Sequence, residues 1–459
     1  MYLADAVRSG GVRRSATICL FSVDDDEMMN AKTGDWYTKN PQRARSNNSA
    51  VIVRAEAKKE DFDRIVNATR ERGDPGFYLV DSLEHGTNPC AEVGFLPVHN
   101  GVSGWQFCNL STINMATVDS QEEYNRRARL ASRIATLQAG HTNFAYLGSI
   151  SEEITKREAL IGVSMTAMAQ CPDLAFNEDA SAEAAKCVVE ENKRVAALIG
   201  INQAARTTCL KPEGSGTLAI GQMSSGIHPA PARMGIRRIT AGDDEPVALH
   251  FAKVNPDAVE RSSYDQNEVF LCFPFTLDDD TIVKRDVSAI EQLRQVKSVK
   301  RAWVDAGKNE HLCTDPTLSN NVSNTINVAD DEWDAVADFI FQNRESFAGV
   351  AMLGHSGDID YDHAPEQSVW TVDEIMAEYG PEVLTDAAVL VSAGHSFTRD
   401  PNTRARVDEC ALRLRDLAFF MEILESFKAV DYSTLREEDA SKVKLAESVA
   451  CAGGVCNLV

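Results

Sequence analysis

Apolar and polar positions along this chain alternate between two periods. In residues 56–72, Phe62, Ile65 and Val66 share one helical face, and Gly73-Asp74-Pro75-Gly76 supplies a stop. Ser120 with Glu123 has the spacing of a capping box. It opens a long helix with Leu130, Ile134 and Leu137 at helical intervals, expected as packing positions. Further helices are predicted from near Ser151, over 179–198 with Gly200 as terminator, over 289–303, over 333–341 and over 404–427. In the 333–341 helix the stripe Trp333, Val336, Ala337, Ile340 and Phe341 reads as core. Between the helices lie short apolar runs with the length of strands, at 15–21, 50–53, 77–80, 268–274, 320–326 and 347–353. Strand and helix patterns that interleave in this way predict an α/β fold. There are no internal repeats and no low-complexity segment.

Length adds that 459 residues suffice for one large domain or two to three ordinary ones. The formal charge of −23 argues against wrapping duplex nucleic acid or coating an anionic membrane, and it could favour a basic protein partner. No apolar run approaches the length of a bilayer span, and no secretory signal is visible, so a cytoplasmic location is expected. The eleven cysteines are then mostly reduced, which makes a cysteine pair catalytic or metal-binding rather than structural.

Candidate chemistry concentrates at 86–92. Asn88, Cys90 and Glu92 alternate, and an extended or loop backbone sends alternate side chains to one side. Pro89 pushes Asn88 out of the helical region. A thiol, an amide and a carboxylate can thus converge on one small substrate; the bland alternative is a turn with a buried cysteine. Phe107-Cys108-Asn109 follows. Near the start, Arg8, Gly10, Gly11 and Arg13 suit a loop that meets anionic nucleotides, or a solvated basic turn. The acidic run 24–27 opens a helix and lacks the spaced ligands of a metal site. Asn47-Asn48-Ser49, before a strand, lines a site or makes a turn. After Lys211-Pro212-Glu213, the run Gly214-Ser215-Gly216-Thr217 offers N–H groups and hydroxyls to a phosphate, although it is not a P-loop. His228 is a site residue or a structural histidine. Cys451 and Cys456, in a small-residue tail, make a dithiol or half of a zinc site; with no second pair nearby, no metal is expected.

The ordered set of Asn88-Pro89-Cys90-Ala91-Glu92, Phe107-Cys108-Asn109-Leu110-Ser111, the 211–217 loop, Ser224-Ser225-Gly226-Ile227-His228-Pro229 and the Cys451/Cys456 tail resembles class II, adenosylcobalamin-dependent ribonucleotide reductases over nearly the whole chain. The resemblance implies a ten-stranded α/β barrel, of which this chain supplies the later strands. Residues 1–430 would be the barrel portion with a finger loop near 86–92, and 431–459 a redox tail. It implies ribonucleotide reduction with Cys90 as thiyl carrier, Glu92 as base and Asn88 orienting the ribose. Cys108 would be one of two reducing cysteines, and Cys451 and Cys456 the shuttle re-reduced by a thioredoxin-like partner. Gly214 to Thr217 would hold the substrate's phosphates, and Arg8, Gly10, Gly11 and Arg13 would couple a nucleotide effector to the substrate. Family members carry a long stretch before these motifs, with the first strands and the second active-site cysteine. A separate N-terminal polypeptide is therefore the expected partner. Two departures stand out: Ala91 occupies a position that is Gly in many relatives, and 94–105 reads as an insertion. The rival readings are a reductase with a metal-subunit radical source and a non-catalytic assembly subunit.

Overall fold

The computed structural model describes residues 16–144, 146–262, 266–354, 365–395 and 405–435. Arg8, Gly10, Gly11, Arg13, Cys451 and Cys456 lie outside the described residues. The described residues fall into two compact units, one from 16–230 with 280–354 and the other from 231–279 with 365–395 and 405–435.

The first unit is built on a run of strands. β1 (Thr17–Ser22), β2 (Ser46–Val53) and β3 (Gly76–Val80) are parallel neighbours. Leu110–Asn114 is β4, Gly162–Thr166 is β5, Thr325–Val328 is β6 and Gly349–Gly354 is β7. β3 meets β7 antiparallel, and β7 pairs in parallel with β6. Isolated parallel bridges continue the order, Val322 to Leu210 and Thr208 to Val163 of β5, and β5 pairs with β4. Eight segments thus follow one another as β1-β2-β3-β7-β6-(207–210)-β5-β4. The ten-stranded barrel expected from the motifs is not closed here. Among the described residues the run is open at β1 and at β4, which lack a second strand partner.

The sequence explains which strands lie deepest. β3 and β5 are apolar or small at every position and buried throughout, as strands covered on both faces are. β2 alternates buried and less buried positions. Helix α1 (Lys59–Thr69) lays Phe62, Ile65 and Val66 on the sheet, with Phe62 stacked 5.3 Å from Phe77. Helix α2 (Gln121–Ala139) packs beside α3 (Glu178–Ile199), which Gly200 ends at φ +75°. α4 (Ala289–Val299) starts in a complete Ser288/Glu291 capping box, and α5 (Trp333–Gln342) buries Trp333, Val336, Ala337 and Ile340.

Helix α2 departs from expectation twice. Ser120 caps Glu123 N–H, but the Glu123 carboxylate turns to Arg126 and Arg127 and leaves the box half made. Leu130, Ile134 and Leu137 do not pack; Tyr124, Ala128, Ala131 and Ala135 do. Small residues on that face let the helix approach closely, and the leucine stripe is turned outward.

The second unit holds an antiparallel sheet in the order 259–261, 268–276, 234–242, 366–368. Ile236, Phe251, Cys272 and Phe420 are fully or almost fully buried in its core. No described helix is long and apolar enough to cross a membrane, and the described residues hold no group of three metal-ligating side chains.

One buried ion pair ties the first unit together. Arg206 donates to Glu158 at 2.9 Å with both side chains sealed from solvent, and Gln106 and the Thr314 N–H complete the carboxylate's bonds. Burial alone would raise the Glu158 carboxyl, but Arg206 and these donors hold it below the usual range. Such a group stabilises the fold above the ordinary carboxylate pKa, and the benefit fades as pH falls below it. Arg206→Met strands a buried carboxylate, so a loss of about 3–5 kcal/mol is expected at pH 7 and a smaller loss near pH 4.5, where Glu158 can take up a proton. Denaturant melts of the two proteins at both pH values measure this; equal losses at both would contradict it.

Candidate active site

The 86–95 segment folds as a finger. Gly86–Thr87 pairs antiparallel with Gly94–Phe95, and the Ala91 N–H closes a turn on the Asn88 carbonyl at 2.8 Å. Inside the turn the Asn88 side-chain oxygen accepts the Val93 N–H at 3.1 Å. Ala91 sits at φ +58°, the left-handed region that costs a side-chain-bearing residue energy. A Cβ added at Gly349 would come 3.1 Å from that of Ala91, so the absence of a side chain on β7 leaves room for the turn.

Segments from several places along the run clamp this loop. Asn47 of β2 donates to the Pro89 carbonyl at 2.9 Å, and the Tyr78 hydroxyl of β3 to the Gly86 carbonyl at 2.8 Å. Asn321 donates its side chain to the Ala91 carbonyl at 3.1 Å and its N–H to the Glu92 carbonyl at 2.9 Å. Asn320 accepts the Gly94 N–H at 3.1 Å, and Arg206 donates to the Gly94 carbonyl at 3.2 Å. The run 320–324, expected as a plain strand, is thus a set of amide clamps; its three asparagines in an otherwise strand-like stretch were the available signal.

Four expected residues come together. Cys90 is exposed at the fingertip, while Glu92 is 2% exposed beside it. Burial raises the Glu92 carboxyl, opposed by an Asn88 hydrogen bond and the Lys211 charge. Its Oε2 is buried without a hydrogen-bond partner among the described residues. Desolvation and then Glu92 push the Cys90 thiol up to about 11. The same two causes, with Cys90, push Cys108 up to about 12. Both sulfurs therefore carry their hydrogens at neutral pH. That is unfavourable for a thiolate nucleophile and suited to a hydrogen-atom donor.

Lys211, Glu213, Thr112 and Cys209 join this cluster without having been assigned a part in it. Lys211 reaches Glu213 at 2.5 Å and Thr112 at 3.3 Å, and Thr112 also donates to Glu213. Cys209 is fully buried within reach of the charge of Glu92. In the loop that follows, Gly214, Ser215 and Gly216 are exposed, but Thr217 is buried with its hydroxyl 2.5 Å from that of Thr166. The Glu213 carboxylate stands where a Cβ on Gly216 would fall. His228 takes the structural part: Nδ1 donates to the Ser225 carbonyl at 2.8 Å, and Nε2 accepts the Thr325 N–H at 2.9 Å.

On another side Cys90 lines a cleft of about 330 Å³, walled by Asn47 to Ser49, Ser323 to Thr325 and Gly349 to Leu353. Asn324 Oδ1 is buried on this wall with no hydrogen-bond partner among the described residues. Asn47-Asn48-Ser49 therefore lines a site as well as starting a strand.

A carboxyl raised in the folded state costs stability as pH climbs from its unfolded pKa through its folded one. Glu92→Gln is expected to raise the melting temperature at pH 7 and to leave it unchanged near pH 3, below the ordinary glutamate pKa, where Glu92 is protonated in both states. A uniform shift at both pH values would show that ionisation is not the cause. Alkylation of Cys90, followed by peptide mass spectrometry, is expected to run on the order of 100-fold slower at pH 8 than for a free cysteine and to keep accelerating to about pH 11. Labelling at the rate of a free thiol would remove the protonated-donor argument.

None of the known protein-family models matches this chain. It is 24% identical over 422 residues to the adenosylcobalamin-dependent ribonucleoside-triphosphate reductase of Levilactobacillus brevis, which covers 80% of this chain and 52% of that protein. The enzyme of the same name from Lactobacillus leichmannii is 26% identical over 410 residues, covering 77% of this chain and 51% of that protein. A solved B12-dependent class II ribonucleotide reductase superposes with a TM-score of 0.62 at 20% identity, over 87% of this chain and 56% of that one. The resemblance read from the motifs is borne out in sequence and in fold. The chain spans about half the length of the curated relatives it matches.

Proposed function

We propose that this chain is the catalytic portion of an adenosylcobalamin-dependent ribonucleotide reductase, acting on ribonucleoside triphosphates. The observation that carries the reading is the position of Cys90. It stands at the tip of a clamped finger, open to a cleft on one side and to Glu92, Cys108 and Lys211 on the other. A radical-transferring thiol needs two such approaches, one for the radical source and one for the substrate. The relatives, adenosylcobalamin-dependent ribonucleoside-triphosphate reductases by name, support the choice of cofactor and substrate.

The cleft suits part of the cofactor. Its volume is at the low end of ligand pockets, roughly 300–1,000 Å³, which fits a nucleoside-sized group and not a corrin ring. The chemistry that adenosylcobalamin supplies when bound is generation of a radical. Cys90, held as S–H, gives up its hydrogen atom and can then take one from the ribose 3′ carbon. Glu92 accepts the 3′ hydroxyl proton, for which burial has raised its proton affinity. Asn88 holds the turn and steadies the Glu92 carboxylate. Cys108 delivers reducing hydrogen at the 2′ carbon. With a second thiol it forms a disulfide as the 2′ hydroxyl leaves as water, so two thiols are oxidised for one carbon reduced.

The partner of Cys108 and the strands beyond β1 and β4 would come from an N-terminal reductase polypeptide, consistent with the open run of eight segments. Gly214 to Gly216 would meet the phosphates, and Thr217 would hold that loop to β5 through Thr166. Cys451 and Cys456 would return the disulfide to the dithiol with a thioredoxin-like reductant, and Arg8, Gly10, Gly11 and Arg13 would join effector to substrate.

The test is ribonucleotide reduction with adenosylcobalamin and a dithiol, using this chain alone and mixed with the N-terminal polypeptide. Turnover in the mixture that is abolished by Cys90→Ser is expected. Turnover of the chain alone would overturn the need for a partner, and turnover unaffected by Cys90→Ser would overturn the assignment of Cys90.

A further inference from the structure

Lys211 stands between the thiols and the 213–217 loop. Its Nζ lies 2.5 Å from Glu213 and 3.3 Å from the Thr112 hydroxyl. Its charge also reaches Cys90, Glu92 and Cys108. Two carboxylates thus share this cation, and Glu92 in turn feels the charge of Glu213. The Lys211 backbone is fixed, because its N–H donates to the Ser164 hydroxyl of β5 at 2.8 Å. The side chain is a long flexible stem, 25% exposed, and is the part that can turn.

Glu213 is held in a costly posture. Its φ of +58° is free to glycine and unfavourable for a residue with a side chain. In that posture the carboxylate folds back against the loop it begins, so that a Cβ on Gly216 would fall on Glu213 Oε2. Thr112 of β4 donates to the other oxygen, and the side chain is 5% exposed. Gly214, Ser215 and Gly216, by contrast, are exposed. A nucleotide with its ribose at Cys90 and Glu92 and its phosphates at 214–216 passes Lys211 on the way. It brings several negative charges against a buried carboxylate. If Lys211 stayed on Glu213, those phosphates would face an anion whose counter-ion is already engaged.

We propose that Glu213 is a resident stand-in for a substrate phosphate: it holds Lys211 while the site is free and yields that cation to the incoming phosphates. Glu213 is then a positioning residue that acts through Lys211. Binding of a polyphosphate has to break the Lys211–Glu213 pair, so the free site is less attractive to anions than its lysine alone would make it. The inference deepens the reductase reading and rests on it for the placing of phosphates at 214–216.

The experiment compares wild type with E213Q, E213G and K211M. Gln keeps the shape of the side chain and Gly takes the positive φ without cost, so the two replacements of Glu213 stress the fold in different ways. Circular dichroism and melting establish which variants are folded. Dissociation constants for orthophosphate, pyrophosphate and tripolyphosphate are read by calorimetry at low ionic strength, where charge effects are least screened. E213Q and E213G are expected to bind tripolyphosphate on the order of 10-fold more tightly than wild type, with a smaller gain for each phosphate removed. K211M is expected to bind it on the order of 10-fold more weakly. A merely structural Glu213 would move the melting temperature and not the dependence on phosphate number. Equal constants for wild type and the Glu213 variants would overturn the stand-in, as would weaker binding by both variants or no tripolyphosphate binding by any of the proteins. Reduction assays in the mixture with the N-terminal polypeptide separate the two readings. A gain that grows with phosphate number, without ribonucleotide reduction, would support the exchange of Lys211 for another phosphorylated ligand and remove the reductase reading. Ribonucleotide reduction with no such gain would remove the stand-in and leave that reading.

Discussion

A backbone that crosses the face of a sheet cannot leave its own N–H and C=O groups unpaired. The 86–95 finger meets this constraint partly with its own hairpin pairing and turn and partly through side chains from the strand run. Asn47, Tyr78, Arg206, Asn320 and Asn321 each take one of its backbone groups, and they come from four separate segments of the strand run. The position of Cys90 is thus set by amide and guanidinium geometry together with the apolar seat of Val93. Arg206 makes the connection to the core explicit, because the guanidinium that neutralises Glu158 also holds Gly94. Removing solvent from that pair and fixing the base of the finger are one event.

The same exclusion of water decides the electrostatics. Around Cys90 and Cys108, desolvation and the Glu92 charge both favour protonated sulfur, and Lys211 opposes them only in part. Lys211 is drawn toward Glu213 and Thr112 instead. A site meant for thiolate attack would turn that cation on the sulfur. Here the arrangement keeps hydrogens on sulfur, in line with hydrogen-atom transfer.

Much of this was legible in the sequence where a single local rule applies. The α1 and α5 stripes and the Gly200 stop follow from periodicity and terminator chemistry, whereas Cys90 and Glu92 become neighbours through a turn with Ala91 at positive φ and not through alternation along an extended strand. Periodicity failed at α2, because the helix has an apolar stripe on one face and alanines on the other. Spacing alone does not say which face the sheet takes, and close approach favoured the small residues. The capping box at Ser120 was half right because two arginines on the first turns compete for the same carboxylate. The asparagine clamps were hidden for a different reason: their partners are backbone atoms distant in sequence, and no local pattern reports them. Lys211 and Glu213 stood inside a motif read for its glycines, and only the fold brings them to Glu92.

The reach of those clamps also bears on timing. Asn321 lies 230 positions after Ala91, the residue whose carbonyl it holds. A ribosome that has released Ala91 must still make 230 further residues before the asparagine emerges. Contacts of such separation form late, since the intervening chain has to be ordered first. While that stretch is being made, Cys90 sits on a loop that lacks its Arg206, Asn320 and Asn321 clamps and can be held only by Asn47 and Tyr78. A competent reaction centre is assembled only after the last strands of the first unit have docked, so the architecture delays the chemistry until the surroundings able to contain it are in place.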